Sequence, residues 1–185
     1  SIITNQRNSR TYSRYKIILS PEKIFKLFQK ENVCFFCGVP DSLLKGFCSY
    51  LVEHTTQTEH VITANEGNAV ALAVGHYLGS GLPALVYMQN SGTGNAINPL
   101  LSLADTEVYS IPMLLLVGWR GEPGIKDEPQ HIKQGRVTTD LFDAMGIPWF
   151  VLDSKTPDPA ELISKAVKCM WDKMGPVMIL VRKGT

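Results

Sequence analysis

The sequence predicts an α/β protein of the doubly wound kind, a six-stranded and mostly parallel sheet with helices on both faces. Two patterns carry that prediction. Short, nearly continuous apolar runs such as Pro112 to Val117 and Val177 to Val181 have the composition of strands buried on both faces. They alternate with segments whose apolar residues recur at helical spacing. A length of 185 residues, 44% of them hydrophobic, suits one core.

Ser20-Pro21-Glu22 supplies an N-cap, a proline at the first helical position and an acid in the first turn, and Ile24, Phe25, Leu27 and Phe28 follow at helical spacing. A first helix therefore runs to about Lys30. Val33 to Cys37 reads as a buried strand that stops at the turn Gly38-Val39-Pro40-Asp41. A helix carrying Leu43, Leu44, Phe47, Leu51 and Val52 comes next, then a strand from His60 to Ala64. Ala69, Val70, Ala73, Val74 and Tyr77 line one face of the following helix, which ends near Gly79-Ser80-Gly81. Pro83 to Met88 is a strand, Asn95 to Ala104 a helix, and Pro112 to Val117 a strand. Thr138 to Met145 is a helix and Trp149 to Leu152 a strand, and the helix Ala160 to Met174 and strand Val177 to Val181 close the series.

Gly118 to Gln134 reads as one long irregular loop charged with Arg120, Glu122, Lys126, Asp127, Glu128, His131 and Lys133. Loops of that length in a compact domain tend to be functional. In such folds ligands bind beyond the carboxyl ends of the strands, so a site belongs among the turns at 38–42, 64–67 and 89–95 and the loop 118–134.

Composition narrows the function classes. Eighteen Lys and Arg against seventeen Asp and Glu give a net charge of +1, so the charged footprint of a dedicated nucleic-acid binder is missing. The longest apolar runs, such as Ile111 to Val117, fall far short of the ~20 residues that span a bilayer, so neither nucleic acid nor membrane is an expected partner. Cysteines at 34, 37, 48 and 169 are too few and too scattered for a disulfide scaffold, which points to a reducing compartment. Residues 1–19 form a separate basic arm with Arg7, Arg10, Arg14 and Lys16 and no acid, followed by one domain over 20–185. The arm has the composition that transit peptides share, so the expected cytoplasmic location has a mitochondrial alternative. The first residue is Ser rather than Met, which suggests a processed chain or a piece of a longer one.

Several familiar motifs fail on inspection. Gly92-Thr93-Gly94-Asn95-Ala96-Ile97 follows a strand and opens a helix, but Ile97 stands where a dinucleotide fingerprint needs its third glycine, and no acid closes the next strand. No G-x-x-x-x-G-K-[ST] occurs. Cys34 and Cys37 form a C-x-x-C inside a strand, where thiols are expected to be buried and inert, rather than at a helix N-terminus that would lower a thiol pKa. His54, His60, His76 and His131 show no metal-ligand spacing, and no metal site is expected within this chain.

Glu66 is the informative acid, placed at a strand-to-helix switch in Thr63-Ala64-Asn65-Glu66-Gly67-Asn68-Ala69. It has two readings. A first-turn glutamate is favoured by the helix dipole. The small residues after it also allow close packing beside apolar neighbours, and burial would raise its pKa and fit it for proton transfer.

Four segments occur in one order: Phe36-Cys37-Gly38-Val39-Pro40-Asp41-Ser42, Ala64 to Ala69, Gln89-Asn90-Ser91-Gly92 with Gly94-Asn95 and Asn98-Pro99-Leu100, and Gly118-Trp119-Arg120-Gly121 through Lys126-Asp127-Glu128-Pro129-Gln130-His131. Together they resemble the pyrimidine-binding domain of the thiamine-diphosphate-dependent decarboxylases that act on phosphonopyruvate and sulfopyruvate. The likeness covers about Ser20 to Thr185. It implies thiamine diphosphate with Mg2+ as cofactors and a small anionic 2-oxo acid as substrate. In that family the diphosphate and magnesium are held by a G-D-G segment followed by Asn in a second domain. No G-D-G occurs here. The implied partner is therefore a diphosphate-binding domain or subunit, within a homo- or hetero-oligomer.

Carried over residue by residue, the resemblance implies that Glu66 bonds N1′ of the aminopyrimidine and promotes loss of the thiazolium C2 proton. Gly38, Val39, Pro40, Asn90, Ser91 and Gly92 would border the cofactor. Ser42, Asn90, Arg120 and Lys126 would meet the substrate, with Asp127 and His131 as proton relays beside the catalytic Glu66. Asp41 and Thr93 depart from the pattern without threatening it. The activity implied is conversion of 3-phosphonopyruvate to 2-phosphonoacetaldehyde and carbon dioxide. Its alternatives are the sulfopyruvate-decarboxylating alpha-type subunit and a non-catalytic stand-alone binding domain.

Overall fold

The first helix forms where its start signals stand. In the computed structural model, which describes residues 20–185, Ser20 Oγ accepts the backbone N–H of Lys23 at 3.2 Å and Pro21 opens α1 (Pro21–Lys30). The basic arm at 1–19 lies outside the described residues. Strands β1 (Phe35–Gly38), β2 (His60–Ile62), β3 (Ala84–Gln89), β4 (Met113–Gly118), β5 (Trp149–Leu152) and β6 (Pro176–Val181) form one sheet in the order β2-β1-β3-β4-β6-β5. Every pair is parallel.

Alternation along each strand sends neighbouring side chains to opposite faces and so creates two cores. On one face α1, α2 (Lys45–His54) and α6 (Pro159–Lys173) bring Phe28, Leu51 and Met170 against Phe36, Leu85 and Ile179. On the other, α3 (Glu66–Ser80), α4 (Thr93–Pro99) and α5 (Pro129–Ala144) bring Val70, Ala96 and Phe142 against Val86, Leu115 and Leu180. Strands β1, β4 and β6 are buried throughout.

The chain leaves β1 towards the β2 edge and leaves β3 towards β4, so the strand order reverses between β1 and β3. A crevice opens at such a switch, beyond the carboxyl ends of the strands. The turns that follow Gly38 and Gln89 are therefore its walls.

Three elements differ from the sequence reading. The loop after β4 ends at Glu128, because Pro129 opens α5 instead of breaking it; a proline at the first helical position forfeits no hydrogen bond. His131 and Lys133 are thus helical. The helix expected over 95–104 starts at Thr93, and after Pro99, which has no N–H to give, it widens into a π-helical turn at Leu100–Ala104. The first strand begins at Phe35, which leaves Cys34 exposed, whereas Cys37 and Cys48 are buried and their thiols pushed up to about 12 and about 11 by desolvation. Among the described residues no helix is long and apolar enough to cross a membrane.

Candidate active site

Glu66 is the first residue of α3, and its place is set by its neighbours. Asn65 caps the helix by accepting the Asn68 N–H at 2.9 Å, and Thr63 Oγ1 donates to the Asn65 carbonyl at 2.9 Å. A Cβ on Gly67 would lie 2.7 Å from the Asn95 carbonyl oxygen, so only glycine lets the start of α3 lie against α4. The half-buried Glu66 carboxylate then reaches across the switch point. Its Oε2 accepts Asn95 Nδ2 at 2.8 Å, and its Oε1 stands where a Cβ on Gly92 would come within 2.2 Å. An amide and bare backbone adjoin it, a more polar setting than the sequence suggests. No hydrogen bond within the described residues engages Oε1.

The turn after β1 is the second wall. A Cβ on Gly38 would fall 2.0 Å from the Tyr87 carbonyl oxygen, and Val39 N–H donates to that oxygen at 3.1 Å. Asp41, a departure from the family pattern, is buried. Its Oδ2 accepts the Leu43 N–H at 3.0 Å and rests on Gly118, where a Cβ would be only 2.1 Å away. Its Oδ1 is buried without a partner among the described residues. Desolvation raises the Asp41 pKa and outweighs the lowering by the Leu43, Ser42 and Leu44 backbone and by Arg120. No sequence spacing announces this residue, because Gly118 is distant along the chain.

Asn90 occupies the turn after β3, yet its amide faces inward. Nδ2 donates to the Arg120 carbonyl and to Thr138 Oγ1, each at 2.9 Å, and Oδ1 accepts the Arg120 N–H at 3.1 Å. Both amide hydrogens are spent. The side chain is therefore a bracket joining β3, the loop and α5, at the position where the sequence reading expects a contact to cofactor and substrate. Ser91 Oγ accepts Gln89 Nε2 at 2.5 Å and keeps its own hydrogen to donate.

The loop carries a second cluster. Arg120 grips Asp127 bidentately, Nε to Oδ2 at 2.8 Å and Nη2 to Oδ1 at 2.5 Å, while Nη1 donates to Ser42 Oγ at 2.8 Å. Asp127 also accepts the backbone N–H groups of Gly121 and Glu128, both at 2.8 Å, and faces His131 Nδ1 at 3.2 Å. These contacts, the Arg120 guanidinium foremost, hold the Asp127 carboxyl far below the usual carboxylate range. A group held so low neither gives nor takes protons near neutrality. Asp127, which the sequence reading expects to relay protons, is thus an anchor of the loop through Arg120, Gly121 and Glu128. It also draws the His131 hydrogen to Nδ1, which leaves Nε2 as the ring atom able to accept a proton. Lys126 is exposed.

Pro40, Asp41, Ser42, Lys45, Cys48 and Tyr87 border a concavity of 440 Å³ beside this cluster, and Glu66 is not among its lining residues. Two groupings thus face the sheet's carboxyl end: Glu66 with Asn95, Gly92 and Ser91, and Arg120 with Ser42, Asp127 and His131. Asn90 and Thr138 join them from beneath. Among the described residues no group of three or more His, Cys, Asp or Glu could hold a metal ion.

Residues 21–145 match the family described as "Thiamine pyrophosphate enzyme, N-terminal TPP binding domain". The phosphonopyruvate decarboxylase of Streptomyces hygroscopicus is 43% identical over 121 residues, 65% of this chain and 29% of that protein. That of Streptomyces viridochromogenes is 40% identical over 121 residues, again 65% of this chain and 30% of that protein. The chain thus spans less than a third of either relative. Sulfopyruvate decarboxylase subunit alpha of Methanococcus maripaludis is 35% identical over 161 residues, which cover 86% of this chain and 92% of that subunit. Among solved structures, benzoylformate decarboxylase from Polynucleobacter necessarius shares the fold, with a TM-score of 0.61 and 21% identity over 88% of this chain and 30% of that one.

Proposed function

The chain belongs to the thiamine pyrophosphate enzymes as their N-terminal TPP-binding domain, and from that premise we propose that it supplies the pyrimidine-binding half of a site that decarboxylates 3-phosphonopyruvate to 2-phosphonoacetaldehyde and carbon dioxide. The observation that carries the reading is the Glu66 carboxylate laid on Gly92, with Oε2 held by Asn95 and Oε1 unclaimed within the described residues. A side chain at position 92 would fill that cradle. The donor set fits an aminopyrimidine: an oriented acid for a ring nitrogen, and the backbone of Gly38, Val39, Pro40, Asn90 and Ser91 around it.

Thiamine diphosphate, when bound, supplies the electron sink for the pair left by departing carbon dioxide. This chain's residues do the rest. Glu66 holds and returns a proton at a pyrimidine nitrogen, and Asn95 keeps its Oε1 turned to that task. Arg120, Ser42 and the exposed Lys126 meet the strongly anionic tail of the substrate. His131 Nε2 moves a proton on the substrate side. The diphosphate and its Mg2+ fall to a second domain or subunit, so the working form is a homo- or hetero-oligomer with the site at the junction.

A second substrate, sulfopyruvate, is favoured by the extent of likeness: similarity to the alpha subunit runs over 161 residues, against 121 for the phosphonopyruvate enzymes. Both substrates are short 2-oxo acids with an anionic tail, so the same residues serve either.

The deciding experiment assays the complete enzyme that contains this chain with 3-phosphonopyruvate, sulfopyruvate and pyruvate, following carbon dioxide and aldehyde. The highest kcat/KM is expected for 3-phosphonopyruvate. A highest value for sulfopyruvate would transfer the assignment to it, and turnover of none of the three with cofactor bound would leave a non-catalytic binding domain.

A further inference from the structure

The loop bearing Arg120 is tied down at its base by an arginine far along the chain. Arg182 lies just past β6, its Nη2 paired with Glu122 and its Nη1 3.2 Å from Asp153 Oδ2. Glu122 is nearly enclosed, its side chain 7% exposed against 42% for Arg182, so the guanidinium covers the carboxylate. The same guanidinium lies 5.9 Å from the Trp119 ring centroid. Trp119 is pinned in turn, its N–H donating to the Val181 carbonyl and Nε1 to the Gly135 carbonyl, each at 2.9 Å. Loop and α5 touch backbone to backbone, since a Cβ on Gly121 would fall 1.9 Å from the His131 carbonyl oxygen.

Neither Arg182 nor Glu122 has a part in the chemistry described above. Yet Glu122 is two positions from Arg120, and a buried carboxylate without its cation is strongly unfavourable. Loss of Arg182 would drive Glu122 towards water and carry the loop with it. Arg120 would then lose its aim on Ser42.

We infer that Arg182 is a positioning residue for the substrate's anionic tail: by holding Glu122 it fixes the loop that presents Arg120. The inference rests on the reading of Arg120 as the residue that meets that tail.

The test compares Arg182→Met, Arg182→Lys, Glu122→Gln and the Arg182→Met/Glu122→Gln pair in the complete enzyme. Arg182→Met should raise KM for 3-phosphonopyruvate by roughly tenfold with kcat little changed, the mark of lost binding rather than lost chemistry. Pyruvate, whose methyl tail has no charge, should show no such rise. Arg182→Lys, able to reach one carboxylate at a time, should fall between. The double variant leaves no charge enclosed at position 122, only the more exposed Asp153 without its arginine, and should recover most of the loss. A second readout needs no turnover: trypsin should cut after the exposed Lys126 faster in Arg182→Met and at the original rate in the double variant. An unchanged KM for 3-phosphonopyruvate in Arg182→Met, or a double variant no better than Arg182→Met, overturns the inference. If Arg182→Met does not fold, Arg182→Lys and the double variant carry the same comparison. If the unmodified enzyme shows no preference for an anionic tail, the reading of Arg120 fails instead. Trypsin then decides alone: faster cutting sustains the hold of Arg182 on the loop, and unchanged cutting ends it.

Discussion

The carboxylate of Glu66 rests on Gly92, where a Cβ would stand 2.2 Å from Oε1 and 2.6 Å from Cγ. The glycine is therefore a matter of space and not of backbone freedom, since its φ of −75° suits any residue. Gly92→Ala should push the carboxylate from the crevice. Overpacking of this kind costs roughly 1–3 kcal/mol of stability. The larger expected effect is on function, a fall of roughly 100-fold in the rate that depends on Glu66 as acid–base. A denaturant melt beside single-turnover kinetics checks both, and full activity in Gly92→Ala would show that the carboxylate works elsewhere.

Glu66→Gln keeps the shape and the link to Asn95 while removing the titratable proton. As a helix-start charge alone, Glu66 would contribute roughly 0.3 to 1 kcal/mol to stability and nothing to chemistry. As a proton-transfer group, its loss should slow deuterium exchange at cofactor C2 by roughly 100-fold or more. Exchange measured in the complete enzyme separates the two. An unchanged exchange rate with a shifted melt would return Glu66 to the role of a helix cap.

Local signals explain why this half of the site was readable. The cap Asn65, the acid Glu66 and the glycines Gly67 and Gly92 act through chain neighbours or through the switch point that strand order dictates. The loop was legible only in its charges. Its organisation depends on Asn90 to Thr138, 48 positions apart, and Arg120 to Ser42, 78 positions apart, and no periodicity reports contacts of that span. The start of α5 at Pro129 falls inside the stretch read as loop for a simpler reason: a proline ends a helix or begins one, and only the preceding turn decides which.

Asp127 makes the loop sensitive to acid. Its pKa is depressed in the folded chain, so the stability it contributes is present above the unfolded value of about 3.9 and is lost as pH falls below it towards the folded value. Asp127→Asn cannot accept the Arg120 fork at both oxygens and should cost roughly 1–3 kcal/mol at pH 7. The variant should also lose less stability than the parent on acidification. Melts across pH 3 to 7, a window of about the usual carboxylate range and above, would show parallel curves if Asp127 made no such contribution.

Asp41 should titrate in the opposite sense, although both aspartates lie near Arg120. Burial outweighs its backbone hydrogen bonds and raises its pKa in the folded chain. The neutral form is thus the one the fold prefers: its contribution is fully present below the unfolded value of about 3.9 and is lost as pH rises through the raised folded value. The ionised carboxylate is the form that burial disfavours, with Oδ1 enclosed and unpartnered among the described residues. Asp41→Asn removes the charge, and its amide oxygen can keep the Leu43 N–H bond that Oδ2 now accepts. The variant should therefore show a flatter pH dependence than the parent, its stability relative to the parent rising as pH climbs through the raised folded value. Gly118→Ala, which would bring a methyl within 2.1 Å of Oδ2, should instead destabilise the protein at every pH, because it evicts the side chain whatever its charge. Denaturant melts of both variants at acidic and neutral pH distinguish charge from packing. Parallel pH profiles for the parent and Asp41→Asn would mean that the carboxylate is satisfied in the folded protein and that its burial carries no charge penalty.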